Sequence, residues 1–168
     1  MAHQHDPFID SGDIHPIDIA ESLALHREWD MDRLAEDQIA MVVEGRWRSY
    51  SLTLAWSARE SVLRLICTFD LDPPEERLPV LYEVLNLVND EVWDGGFTFW
   101  ASQRLMVWRY GLVLAGEAMA VPQQIAHMIG AATGACERFY PAFQLAAWGE
   151  GGAAGALDIA IGEAYGRA

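Results

Sequence analysis

The chain has 168 residues, 52% of them hydrophobic, with seven tryptophans, a formal net charge of −14 and a pI near 4.5. Length and apolar content suit one packed domain. The charge excludes the partners that demand clustered Lys and Arg, nucleic acid and anionic lipid, and favours basic proteins or peptides.

Residues 1–14 are polar, acidic and broken by Pro7 and Gly12, so a mobile acidic N-terminus is expected. His3 and His5 lie there, where no preorganised geometry holds a metal. The segment lacks the basic start and apolar centre of a signal peptide. No apolar run reaches the roughly 18 residues that span a bilayer. A cytoplasmic protein without membrane contact is expected. Residues 15–149 read as one α+β domain and 150–168 as a Gly/Ala-rich link with a short terminal helix.

The spacing predicts a first helix from Pro16 to Trp29, with Ile17, Ala20, Ala24 and Leu25 on its apolar face; proline suits a first turn, whose N–H is unpaired anyway. Asp30 to Asp37 reads as an acidic connection with room for a helical turn around Leu34. Three strands follow: Gln38–Glu44, then after a turn at Gly45 a strand within Arg46–Ser57, then Val62–Phe69. Tyr50, Leu52, Leu54 and Trp56 share one face, as do Leu63, Leu65, Cys67 and Phe69. The short connections imply an antiparallel meander.

Asp70 to Glu76 gathers four acids around Pro73-Pro74. A divalent-metal site is one reading. The better one makes Asp72 an N-cap, Pro73 the first helical residue and Glu75 its capping-box partner. The central helix then runs from about Pro74 to Trp93, with Leu78, Leu81, Leu85, Val88 and Val92 on one stripe and Glu83, Asn86 and Asp90 opposite. Asn89 flanks the stripe; asparagine is a mediocre helix former, so Asn86 and Asn89 invite a specific job or edge hydrogen bonding. Asp94-Gly95-Gly96 stops the helix. An aromatic hairpin follows, Phe97–Ser102 and Leu105–Leu114 about a turn at Ala101–Arg104, with Gly111 marking a bulge or a close backbone approach. After a loop, Pro122 opens a long helix with Ile125, Met128, Ile129, Ala132, Cys136 and Phe139 on one side. Pro141 kinks or restarts it, and Trp148-Gly149 ends it. Residues 149–156 read as a flexible link. Leu157–Tyr165 forms a short helix, docked or swapped, with Leu157, Ile161 and Ala164 on one side.

From about Gln38 to Gly149 the chain resembles the YbjN family. The resemblance rests on LYEVLNLVNDEVWDGGF (Leu81–Phe97), with two asparagines three apart before a glycine and an aromatic; on MVWRYGLVL (Met106–Leu114); and on ERFYPAFQLAAWG (Glu137–Gly149). It implies a fold similar to type III secretion chaperones, in the order α-β-β-β-α-β-β-α, with an antiparallel five-stranded sheet. It implies a sensory-transduction or stress-related regulator, and carries over no catalytic residue.

No G-x-S-x-G, P-loop, H-E-x-x-H, C-x-x-C or Rossmann glycine set is present. His127 and Cys136 are two and a half turns apart on one helix and point to different sides. Cys67 and Cys136 sit in apolar runs and read as buried reduced thiols. No enzyme and no cofactor is expected. The preferred reading is a non-catalytic protein-binding module, chaperone-like or regulatory, with an unidentified protein or peptide partner. Its candidate binding surface is Asn86, Asn89, Trp93, Trp100, Trp108, Arg109 and Tyr110. The alternative is a small-molecule-sensing domain with a pocket between sheet and helices. Alternation is expected to send the rings of Trp47, Trp56, Trp93, Trp100, Trp108, Trp148, Phe97, Phe99 and Tyr110 to both sheet faces. A homodimer would then cover the face that one helical layer cannot, unless the terminal segment covers it instead.

Overall fold

The alternating segments pair as antiparallel strands, and a segment read as a connection joins them. The structure, a computed structural model, describes residues 14–165. The elements are α1 (Pro16–His26), β1 (Asp30–Ala35), β2 (Gln38–Glu44), β3 (Ser49–Ser57), β4 (Val62–Asp70), α2 (Leu78–Glu91), β5 (Gly96–Trp100), β6 (Leu105–Val113), α3 (Pro122–Trp148) and α4 (Ala153–Tyr165). Among the described residues the sheet has six strands in the order β1-β2-β3-β4-β6-β5, every neighbour antiparallel. The expected five-stranded sheet is therefore corrected. The mobile stretch expected before Ile14, with His3 and His5, lies outside the described residues.

The sixth strand is β1, where a helical turn around Leu34 was expected. It pairs with β2 from Asp30↔Val42 to Ala35↔Gln38, with a register shift between Arg33 and Ala35. Its acids hide it from a hydrophobic pattern because an edge strand is held by its backbone ladder rather than by two buried faces. Arg33 points to the helical side and ties β1 to α1, its guanidinium donating to Asp18 at 3.0 Å and Glu21 at 2.9 Å. Acidic residues and a register irregularity on an edge also discourage further strand pairing.

The four helices among the described residues lie on one side. α1 rests on β1–β3, α3 on β4 and β6, α2 on β5, and α4 on α2 and α3. The core is the odd-numbered face of β2, β4 and β5 and the even-numbered face of β3 and β6. Ile39, Tyr50, Leu52, Leu54, Leu63, Leu65, Cys67, Met106 and Trp108 are all fully buried on it. Leu81, Val84, Leu85 and Val88 of α2 meet it, close to the stripe expected; so do Ile125, Met128, Ile129, Ala132, Cys136 and Phe139 of α3. α3 runs unbroken through Pro141. Gly111 makes no bulge, for the β4–β6 register is continuous from Val62↔Val113 to Asp70↔Leu105.

Two connections differ from expectation, and an arginine binds the groups at each. Asp72 and Glu75 do not cap α2. Pro74 is extended (φ −58°, ψ 150°), a 3-10 turn at Glu75–Arg77 intervenes, and no side chain caps the start of α2. Asp72 instead accepts from Arg104 Nε at 2.6 Å, and Glu75 lies 3.6 Å from Arg104. The acidic cluster thus anchors the β5–β6 turn. Arg77 donates to the carbonyls of Ala146 (2.9 Å) and Gly151 (3.0 Å), satisfying the end of α3 and fixing the connection that follows. The flexible link shrinks accordingly, and α4 starts at Ala153 with Ala153, Ala156 and Leu157 buried.

Candidate functional site

The seven candidate residues do not form one cluster. Asn86 is exposed on the outer pole of α2, and Trp93 projects from the connection after α2 with 95% of its surface exposed. Trp108 and Tyr110 face the helices; Trp108 is fully buried, and their rings stack 6.0 Å apart. The Trp108 indole N–H is buried with no hydrogen-bond partner among the described residues. Arg109 and Trp100 face the other way, onto the side of the sheet that no described helix covers. Strand alternation separates Arg109 from its two neighbours.

Asn89 has a structural task. Its Oδ1 accepts from the Phe97 N–H at 2.8 Å, and its Nδ2 donates to the Phe97 carbonyl at 3.0 Å. These are the two bonds that an added strand would make at Phe97, so the carboxamide plugs the free edge of β5. Asn89→Ala is expected to cost about 1–3 kcal/mol by leaving both groups unpaired, and to raise association through the freed edge. Asn86→Ala should leave both unchanged. Urea midpoints and light scattering check this, and equal behaviour of the two variants contradicts it.

A second polar cluster closes the opposite corner. Glu137 of α3 accepts from the Arg46 N–H (2.9 Å), the Trp47 N–H (3.2 Å) and the Tyr50 hydroxyl (2.6 Å), pinning the β2–β3 turn to the helix. Trp47 stacks on Tyr140 at 6.2 Å. Burial, then the bond to Glu137, pushes the Tyr50 hydroxyl far above the ordinary phenol range. Beneath it the Cys67 and Cys136 sulfurs lie 3.6 Å apart, both fully buried and free as expected. The bond to Cys67, then burial, pushes the Cys136 thiol up. A raised folded pKa gives stability that is complete below the unfolded value and lost as pH rises past it. For Tyr50 that loss begins near pH 10 and approaches about 1.4 kcal/mol per pH unit. Urea midpoints between about pH 8 and 11 are expected to fall less steeply for Tyr50→Phe than for wild type; parallel curves contradict this.

On the open face, β4 and β6 place Ile66 opposite Arg109 and Arg64 opposite Gly111, so the two arginines are diagonal neighbours. Val62, Ile66 and Trp100 complete a groove of about 680 Å³. Arg64 is paired with Glu60. Arg109 has no ion pair or side-chain hydrogen bond among the described residues. Toward β1 the face turns acidic and hydroxylic, with Asp30, Asp32, Ser51 and Thr53 around a smaller hollow of about 170 Å³. Of the rings carried by the strands, Trp100 alone lies on this face. The expectation of aromatics on both faces is thus corrected; the strand register puts Trp56, Phe97, Phe99, Trp108 and Tyr110 on the helical side. The diagonal arginine pair was missed by sequence reasoning, because only the β4–β6 register creates it.

Among the described residues no helix is long and apolar enough to cross a membrane, and no three His, Cys, Asp or Glu side chains gather as metal ligands. The family model named YbjN, described as a "putative bacterial sensory transduction regulator", matches residues 16–145. No curated protein and no solved structure matches the chain.

Proposed function

The chain belongs to the YbjN family, and we propose that it is a non-catalytic protein-binding module, chaperone-like or regulatory, that takes a polypeptide segment on the open face of its sheet. The observation that carries this reading is the one-sided arrangement of the helices, which leaves Val62, Ile66 and Trp100 beside Arg109, an arginine without a partner among the described residues. The sheet edges are poorer candidates. β5 is plugged at Phe97 by Asn89, and β1 carries acids and a register shift.

Sensing of a small molecule is the second reading, favoured by the size of the groove, which lies within the range of ligand pockets. Its place is then the open face and not the interface between sheet and helices. A homodimer is a further use of the same face, supported by one tryptophan and the arginines rather than by many rings. Immobilised wild type and Trp100→Glu, presented with lysate at low and high salt, test the first reading. Partners held by wild type and lost by a folded variant are expected; equal capture removes the open face from consideration. Sedimentation equilibrium decides the dimer, and a one-chain mass at every concentration ends it.

A further inference from the structure

Arg64 and Arg109 are an odd pair to leave on a bare sheet face. Diagonal cross-strand neighbours of like charge repel, and the chain has 25 acidic residues with which to neutralise them. Glu60 occupies only Arg64. Gly111 stands directly opposite Arg64 and two residues along the same strand from Arg109, so it adjoins both. Its glycine is not required by packing, since an added Cβ would meet only Val62 Cγ1, at the ordinary distance of 3.4 Å, and its φ is not in the left-handed region. What the missing side chain does is leave open the groove that Gly111 lines together with both arginines. Ile66 and Val62 form an apolar floor beside that space, and Trp100 a wall.

Resting on the reading above, we propose that this groove binds a carboxylate bridging Arg64 and Arg109, presented by an acidic polypeptide segment whose neighbouring apolar side chain lies on Val62, Ile66 and Trp100. Guanidinium pairs hold carboxylates through charge-assisted hydrogen bonds, and an adjacent indole supplies an amphipathic anchor. The local preference is therefore for acid, opposite to the preference for basic partners read from net charge. A second copy is the poorer occupant despite its acidic β1 end. Five strand-to-strand steps of about 20–25° turn the two ends of the face roughly 100° apart. Two rigid twisted sheets then meet mainly across the central strands β3 and β4, within reach of Arg64 but less readily of Arg109 on β6, while a narrow segment reaches both arginines, and the net charge of −14 opposes association of like with like.

The test uses the full chain and three fluorescein-labelled hexapeptides, alternating leucine with glutamate, glutamine or lysine, followed by anisotropy at low and physiological salt. The glutamate peptide is expected to bind and to weaken with salt, and the other two to bind at least about tenfold less tightly. Arg109→Glu should lower its affinity at least about tenfold. Gly111→Val should do the same by filling the gap while leaving the urea midpoint no lower, since a β-branched residue suits a regular strand. Equal binding of the glutamine or lysine peptide overturns the carboxylate and leaves polypeptide binding standing. Binding of octanoate at Arg109 without any peptide overturns the polypeptide and favours small-molecule sensing. Binding unaffected by Gly111→Val, or no binding by any probe, overturns the site. A two-chain mass lost with Arg109→Glu assigns the groove to a second copy and also overturns it.

Discussion

Phe143→Ala is expected to lower the stability of the fold by about 3–5 kcal/mol, the usual cost of emptying a large aromatic site. Phe143 is fully buried and is the point where α3 meets two distant strands. Its ring lies 5.0 Å from that of Phe97 on β5 and 6.2 Å from that of Phe69 on β4. Alanine would leave both partners facing a void and remove the edge-to-face contact with Phe97. Three elements that never adjoin in sequence would loosen together. A urea titration measures the effect as a fall in midpoint with an unchanged slope. Glu83→Ala, on the exposed pole of α2, should stay within about 0.5 kcal/mol of wild type. Similar losses from both would mean that the aromatic seam under α3 is not the centre of the core.

Gly95→Ala is expected to cost about 2–5 kcal/mol, from two independent sources. Gly95 has φ +80°, where a Cβ is strained by about 1–2 kcal/mol. The same Cβ would press on the buried Trp108 ring and lie 2.7 Å from the Arg109 carbonyl, and displacing packed atoms adds about 1–3 kcal/mol. Gly116 separates the two terms. Its φ is +72° with nothing within 4 Å of an added Cβ, so Gly116→Ala should show the backbone cost alone. If the two variants melt together, the close approach to Trp108 contributes nothing.

Where residues bury one face of a regular element, periodicity was enough to read it. The faces of β3 and β4, the stripe of α2 and the apolar side of α3 are all of this kind, because burial imposes a period of two or of 3.6 on the chain itself. β1 was illegible for the complementary reason. Asp30 and Asp32 face solvent, and Arg33 takes an inward position that pattern reserves for an apolar residue. The cap expected at Asp72 failed because Pro73-Pro74 holds the chain extended, so Asp72 and the first turn of α2 never meet. Asn89 did carry a signal, an asparagine flanking an apolar stripe shortly before a strand. Its partner, the backbone of Phe97, appears only when the Gly95-Gly96 turn folds back. Two of the seven candidate residues, Trp100 and Arg109, lie on the open face, and the alternation that puts Trp108 and Tyr110 on the other one was already readable from the apolar run around them. The diagonal relation of Arg109 to Arg64 was not, since it depends on how β4 registers with a strand some forty residues away.

Cys67 and Cys136 hang from opposite sides of the seam between β4 and α3, and they are the chain's only sulfhydryls. An alkylating reagent attacks the ionised sulfur, and here both sulfurs are out of its reach while helix and sheet stay together. Fraying of α4 does not uncover them; lifting of α3 uncovers both at once. The speed at which the native protein takes up such a label therefore counts how often its two layers part. The pair is a built-in clock for that one motion, readable without any added probe site and silent to every looser movement of the surface.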